Sequence, residues 1–155
     1  IYKGYHSDAA RTHAVGEVSE EAKKLIQVTK ECFFEGIKYA KAGNHLFDIS
    51  GAIGRYAEER GYGVVRDLCG HGIGTALHEA PEIPNYEVGR KGVKLRPGMT
   101  LAIEPMINIG TYEVDWLDDD WTVVTRDGSL SAHYENTILI TEGEPRILSL
   151  TCDNE

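Results

Sequence analysis

The sequence predicts an α+β domain in which two helices pack on a mostly antiparallel, curved sheet. Apolar residues recur at helical spacing between positions 19 and 61. From position 64 onward, short apolar segments bounded by Gly, Pro and Asp indicate a series of strands. With 155 residues, 41% of them hydrophobic and 26% charged, the chain has the size and composition of one globular domain.

The first helix follows an extended segment that turns near Gly4. Ser19 is predicted to cap this helix, because its side chain can accept a hydrogen bond from the first turn and two glutamates follow it. Apolar and small side chains then recur every three or four residues from Leu25 to Ala40, and Gly43 is predicted to stop the helix.

A second helix is predicted from Asn44, as its N-cap, to Gly61, as the residue after its C-cap. Gly51 and Gly54 lie inside it. Each glycine destabilises a helix interior by about 1 kcal/mol relative to alanine, so their presence indicates either that this segment is not a continuous helix or that another backbone approaches closely.

The rest of the chain is predicted to form strands at residues 64–65, 100–107, 121–125, 131–140 and 146–150. The segment 96–99 is a turn with Pro97 and Gly98 at its central positions. Two of the strands carry acidic residues among apolar neighbours. These residues are Glu104 and Glu135.

Charge and cysteine usage narrow the class of protein. The net charge of −9 argues against nucleic-acid partners, and no apolar run approaches the ~20 residues of a membrane helix. Cys32, Cys69 and Cys152 form no CxxC pair, which favours a reducing, cytoplasmic location without disulfides. Because the chain begins at Ile1 with an extended segment and no apolar leader, we expect it to be a fragment of a longer protein.

The stretch CGHGIGTALHEAP at residues 69–81 contains three glycines and two histidines, His71 and His78. A dinucleotide-binding loop would have its third glycine at Thr75, and a Walker loop would have a lysine. The HExxH zinc motif also fails, because no second histidine follows His78 and Glu79 at the required spacing. The stretch is therefore not a phosphate loop of either type.

A metal site becomes plausible when His71 is considered with acidic residues elsewhere in the chain. A carboxylate in an apolar strand, such as Glu104 or Glu135, is stable only beside a charged partner. With Asp8, these residues would offset three of the four positive charges of two divalent ions, and such a donor set suits Mn, Co or Fe. Scattered Asp and Glu are usually surface residues, however, so the spacing alone leaves both interpretations open.

Five short motifs, together extending over the whole chain, resemble the type I methionine aminopeptidases. They are GYHSD at 4–8, CGHGIG at 69–74, HEAP at 78–81, RPGMT through IEPM at 96–106, and SAHYENT at 131–137. The resemblance implies a "pita-bread" (creatinase/aminopeptidase) fold, here truncated at the N-terminus. It also implies a dinuclear metallopeptidase that removes the initiator methionine from nascent proteins.

The resemblance implies a role for each matching residue. The metal ligands would be Asp8, His71, Glu104 and Glu135, with Glu135 shared between two divalent ions (Co, Mn, Fe or Zn). Glu104 would also be the general base.

The same resemblance implies which residues would bind the substrate. His78 would bind the scissile carbonyl and stabilise the oxyanion, and Leu77 and Trp121 would line the methionine pocket. Partners would be the N-terminal segments of nascent proteins, with transient ribosome contact and neither nucleic acid nor membrane.

The sequence departs from the family in three respects. The family's first aspartate ligand and an upstream histidine would precede Ile1, so residues 1–155 are expected to be a partial catalytic domain with weak or no activity alone. His133 and Asn136 stand where Gln and His are more frequent, and Leu77 stands where an aromatic residue is frequent. His133 shares a strand face with Glu135, which makes a position behind the ligands conceivable.

Two other functions are compatible with the same fold. One is a non-catalytic pita-bread module that binds peptides or partners, but this chain retains all four ligands that its length allows. The other is a proline-directed peptidase, which the Glu104-Pro105-Met106 sequence and the short interval from His78 to Glu104 disfavour.

Overall fold

The structure, a computed structural model, describes residues 1–150, and Cys152 lies outside the described residues. The two helices are α1 (Glu20–Ile37) and α2 (Leu46–Glu58). The strands are β1 (Ala9–Arg11), β2 (Gly63–Val64), β3 (Gly70–Gly72), β4 (Glu79–Ile83), β5 (Thr100–Ile103), β6 (Met106–Asn108), β7 (Val114–Trp116), β8 (Val123–Thr125), β9 (Ser131–Leu139) and β10 (Arg146–Ile147).

Eight of these strands form one antiparallel sheet organised around β9, whereas β7 and β8 form a separate hairpin. β5 and β6 pair with one edge of β9, and β1 and β10 pair with its other edge. β3 pairs with β5 and β4 with β3, which extends the sheet further. The α+β prediction is therefore confirmed.

The strand predicted at residues 100–107 is interrupted. Pro105 has no backbone N–H to donate to the ladder, and the chain divides into β5 and β6 at Glu104 and Pro105. Both strands nevertheless keep one register with β9, since Ile103 pairs with Asn136 and Met106 pairs with His133. This register sets Glu104 opposite Glu135.

Other strand boundaries also differ from the sequence prediction. β3, β4 and β7 were not predicted, and β8 begins at Val123, so that Trp121 lies in the preceding turn and not in a strand. The first predicted strand, at 64–65, lies one residue earlier, and the last, at 146–150, is limited to β10. β3 and β4 escape prediction because their glycines, prolines and charged residues lack an alternating apolar pattern.

The start of α1 confirms the predicted cap, because the Ser19 side chain accepts a hydrogen bond from the Ala22 N–H at 3.1 Å. Its end does not extend to Ala40 as predicted. The helix stops at Ile37, and the N–H groups of Tyr39 and Ala40 bond to carbonyls only three residues back. These tighter bonds close the last turn before Gly43 is reached.

The predicted Asn44 cap of α2 is wrong. The N-cap is His45, whose backbone N–H donates to the Asp48 carboxylate at 2.8 Å. The Asn44 amide instead donates to the Tyr39 carbonyl at 3.0 Å. Asp48 decides the boundary because a carboxylate at the third helical position can reach back to satisfy an N–H outside the helix.

The fully buried core joins both helices to the inner face of the sheet through large apolar side chains, among them Phe33, Ile49, Ile53, Ile103 and Ile138. The Phe33 ring packs 5.4 Å from the ring of Tyr134, which holds α1 against β9. Within residues 1–150, neither helix combines the length and apolar character required to cross a membrane.

The predicted close approach at α2 is confirmed at Gly54, where a Cβ atom would lie 2.8 Å from the backbone Cα of Tyr86. We expect Gly54→Ala to destabilise the fold by about 1–3 kcal/mol, although alanine favours a helix interior. Gly51→Ala is the matched control in the same helix, because its Cβ would meet only the ends of the Glu87 and Arg55 side chains, which can move. Urea unfolding of both variants checks this, and equal midpoints would contradict the prediction.

Candidate metal centre

The four predicted metal ligands come from separate elements and converge. His71 lies on β3, Glu104 lies between β5 and β6, Glu135 lies on β9, and Asp8 immediately precedes β1. Donor atoms of His71, Glu104 and Glu135 all lie within 4.8 Å of one another. The His71 Nε2 atom is 3.5 Å from Glu104 Oε1 and 3.9 Å from Asp8 Oδ2. The structure thus brings together residues that are far apart in sequence.

The local structure of β3 orients His71. Its Nδ1 atom lies 2.8 Å from the Gly72 carbonyl, which can only accept a hydrogen bond, so a neutral imidazole would present the lone pair of Nε2 to the carboxylates. The flanking glycines are required here, because a Cβ at Gly70 would collide with the Ala102 carbonyl and one at Gly72 with that of Ala80. The prediction that these glycines permit a close backbone approach around His71 is confirmed.

Asp8 is held by Thr137 of β9. The Thr137 hydroxyl accepts a hydrogen bond from the Asp8 N–H at 2.8 Å and donates to the Asp8 carbonyl at 2.9 Å. The side chain of Asp8 keeps one carboxylate oxygen on the N–H of Ala9 at 3.0 Å. Its second oxygen, Oδ2, is the one that faces His71.

Glu135 is the buried carboxylate of the cluster, with 4% of its surface exposed. Its Oε1 atom has no hydrogen-bond partner within the described residues. Burial, together with the negative charges of Glu104 and Asp8, raises the pKa of Glu135 to about 8, although the Arg11 guanidinium acts in the opposite direction. Three neighbouring carboxylates and an unpaired buried oxygen form an acidic cluster that a cation would stabilise.

These residues fit divalent cations. Carboxylate oxygens and an imidazole nitrogen are donors for Mn, Co, Fe and Zn, and within residues 1–150 the donor groups contain no cysteine. Cys69 lies nearby, but burial raises the pKa of its thiol, which disfavours the thiolate. The orphaned Glu135 oxygen is the observation that favours a cation over a solvated acidic surface.

His78 lies beside the cluster and faces solvent. Its ring meets that of His71 edge to face, with centroids 4.3 Å apart, and one of its nitrogens lies within 4.8 Å of donor atoms of Asp8 and His71. Both imidazoles border a cavity of about 520 Å³, together with Leu68 and Glu104. The predicted oxyanion-binding histidine therefore adjoins the predicted metal ligands.

Among the described residues, neither of the two residues predicted to line the methionine pocket borders the cavity of His71 and His78. Leu77 is partly exposed and, in the described part of the chain, is not among the residues that border the cavity of His71 and His78. Trp121 is 86% exposed and borders a second cavity of about 550 Å³ with Trp116. Leu68 borders both cavities and so lies between Trp121 and His78.

Two further residues contact the ligands: Arg11, which sequence reasoning missed, and His133, which was predicted to share a strand face with Glu135. Arg11 donates to the Glu135 carbonyl and, at 2.7 Å, to the Asn136 side chain, and it stacks 4.0 Å from the Tyr134 ring. His133 Nε2 lies 3.5 Å from Glu104 Oε2. The alternation of β9 indicated that His133 and Glu135 share a face, but Arg11 carried no comparable sequence signal.

Oxygen and nitrogen donors gathered beside a cavity, on an antiparallel sheet covered by two helices, are the arrangement of the pita-bread fold class. Residues 1–142 match the model of metallopeptidase family M24, and the chain belongs to that family.

Known proteins refine this assignment. A methionine aminopeptidase of Clostridium acetobutylicum is 60% identical over 150 residues, which are 97% of this chain and 60% of that protein. The crystal structure of methionine aminopeptidase from Thermotoga maritima is 49% identical, with a TM-score of 0.94, over 97% of this chain and 61% of that one. Prolidase from Pyrococcus furiosus is 28% identical, with a TM-score of 0.74, over 97% and 39%. The resemblance to methionine aminopeptidases is confirmed, and the chain spans about 60% of the length of such relatives.

Proposed function

We propose that residues 1–155 are part of the catalytic domain of a cytoplasmic methionine aminopeptidase, which removes the initiator methionine from nascent proteins. The convergence of Asp8, His71, Glu104 and Glu135 beside His78 is the observation that supports this function best. Because the chain spans about 60% of its relatives, other parts of the catalytic domain can lie outside it.

Asp8, His71, Glu104 and Glu135 would hold two divalent cations (Co, Mn, Fe or Zn). Such cations lower the pKa of water and polarise carbonyl groups, which peptide hydrolysis at neutral pH requires. The buried, unpaired oxygen of Glu135 supports its place in this ligand set.

Residues of this chain would accept the proton of the attacking water and stabilise the negative charge that develops on the carbonyl oxygen. Glu104 would accept the proton of the attacking water, since its carboxylate borders the cavity that His78 also borders. His78, solvent-facing and held edge-on against His71, would donate a hydrogen bond to the carbonyl oxygen as negative charge develops there. Leu77 and Trp121 would contact the methionine side chain of a nascent N-terminal segment, whose encounter at the ribosome would be transient.

A metal-dependent release of methionine tests this function. We expect the chain, extended by the parts of the C. acetobutylicum relative that lie outside the matched region, to release methionine from Met-Ala-Ser with Mn²⁺ or Co²⁺ and to stop when EDTA is added. N-acetylated Met-Ala-Ser is the matched substrate without a free amine and should remain intact. The 155-residue chain alone should be weakly active or inactive.

The outcome that contradicts this proposal is cleavage of an Ala-Pro peptide in preference to Met-Ala-Ser. That result would favour the proline-directed activity of the structurally similar prolidase. Peptide binding without hydrolysis by the extended chain would indicate a non-catalytic module.

A further inference from the structure

We propose that His133 supplies an additional nitrogen donor to the cation site at Glu104. This inference rests on the metal centre proposed above and adds a fifth protein side chain to it.

Each of the two carboxylate oxygens of Glu104 faces one imidazole. Its Oε1 atom lies 3.5 Å from His71 Nε2, and its Oε2 atom lies 3.5 Å from His133 Nε2. The two imidazoles therefore face different oxygens of one carboxylate at the same distance. If the first pair shares a cation, the second pair has the same spacing to do so.

The His133 imidazole nitrogen is buried and lacks a partner. Its Nε2 atom makes no hydrogen bond within the described residues, although it is shielded from solvent. Glu135, two residues further along β9, also has a buried oxygen without a partner. Because side chains two residues apart share one face of a strand, His133 and Glu135 project from the same face of β9.

Both backbone polar groups of His133, the N–H and the carbonyl, make hydrogen bonds. Its N–H donates to the Thr12 hydroxyl at 2.8 Å, and that hydroxyl donates to the His133 carbonyl at 3.0 Å. On the opposite edge, His133 pairs with Met106 of β6. The position of the imidazole relative to Glu104 is thus set by the sheet and not by a loop.

The separation of 3.5 Å is the distance expected for two neighbouring ligands. Two donors about 2.1 Å from one tetrahedral ion are about 3.4 Å apart. A direct N–H···O hydrogen bond is shorter, at about 2.7–3.2 Å. The spacing between His133 and Glu104 therefore leaves room for a cation between their lone pairs.

An added imidazole changes which metal the site prefers. Imidazole nitrogen suits Co²⁺, Zn²⁺ and Fe²⁺, whereas Mn²⁺ is held well by carboxylates alone. Removing His133 should consequently weaken Co²⁺ binding more than Mn²⁺ binding. This differential effect distinguishes a ligand from a residue that only supports the fold.

Calorimetric titration of the extended chain defined above with Co²⁺ and with Mn²⁺ tests the inference. We expect His133→Gln to weaken Co²⁺ binding by about 10-fold or more, to weaken Mn²⁺ binding less, and to alter the visible absorption of the bound Co²⁺. His13→Gln is the matched control, since His13 is exposed and outside the cluster. Thermal unfolding of both metal-free variants establishes that they are folded.

Glutamine is the decisive substitution because it retains an N–H donor for Glu104. Unchanged Co²⁺ affinity and absorption in His133→Gln would overturn the inference, and so would equal losses for Co²⁺ and Mn²⁺. If the unmodified chain bound neither metal, the proposed metal centre would fail together with this inference. Binding by the unmodified chain that persists in the variant would refute the role of His133 alone.

Discussion

Glu135→Gln is expected to raise the thermal stability of the metal-free chain at pH 8.5 and to abolish most of the stabilisation that Co²⁺ or Mn²⁺ confers. Glutamine has nearly the same shape as glutamate but no charge to bury beside Glu104 and Asp8. It also removes an anionic donor from the cation site. One substitution should therefore have opposite effects on the two forms of the protein.

The direction of the effect on the metal-free form follows from the pKa of Glu135, which the fold raises from 4.5 to about 8. Because the ionised carboxylate is disfavoured in the folded state, its destabilising effect is absent below pH 4.5 and is complete above pH 8. The gain from Glu135→Gln should accordingly be present at pH 8.5 and vanish at pH 4.5. A melting-temperature rise of at least about 2 °C at the higher pH would correspond to a change near 1 kcal/mol.

Thermal unfolding at both pH values, with and without added metal, measures these effects. Glu142→Gln is the matched control, because Glu142 is exposed in a surface turn away from the cluster. The control should change neither the metal-free stability nor the response to Co²⁺. A Glu135→Gln variant that gains as much stability from Co²⁺ as the unmodified chain would exclude Glu135 as a ligand.

His78→Ala is expected to lower methionine release by the extended chain by about 10²-fold or more while leaving Co²⁺ affinity unchanged. The reason is that His78 borders the cavity and would act on the substrate carbonyl, whereas His71 Nε2 faces the carboxylates of Asp8 and Glu104. Removal of a donor that acts only as charge develops should lower kcat more than it raises KM.

Kinetics on Met-Ala-Ser and calorimetry with Co²⁺ separate the two possible roles of His78. The measurement is informative because a His78 nitrogen lies within 4.8 Å of donor atoms of Asp8 and His71, close enough for a shared ion. Loss of Co²⁺ binding in His78→Ala would make His78 a metal ligand and our assignment wrong. His13→Ala, at an exposed position, should leave both quantities unaffected.

Local sequence signals predicted the presence of the two helices better than the positions of their ends. The cap at Ser19 was correct because its hydrogen bond joins residues only three apart. The start of α2 was misplaced because Asn44 and His45 can both cap, and the reach of Asp48 decides between them. β3 and β4 were missed since their strand pairing depends on neighbours distant in sequence.

For the site, the ordered motifs identified which residues to examine, but not their mutual arrangement. Glu104 was expected inside a continuous strand, whereas Pro105 interrupts that strand and leaves Glu104 at the break. The placement of Arg11 behind Glu135 depends on the pairing of β1 with β9, which no local pattern encodes. Leu77 and Trp121 match the family at positions of the methionine pocket. In the described part of the chain, however, Trp121 borders the second cavity and Leu77 borders neither of the two.

The sequence by itself determined the α+β class, the two amphipathic helices, the long β9 strand and the family of the chain. Periodicity and capping act over a few residues, and motifs are read directly from residue order, so each is available without coordinates. Only the tertiary structure decided that Glu104 lies opposite Glu135 and faces both His71 and His133. The physical reason is that strand register and sheet order are set by the packing of the whole core, which joins side chains separated by long stretches of sequence.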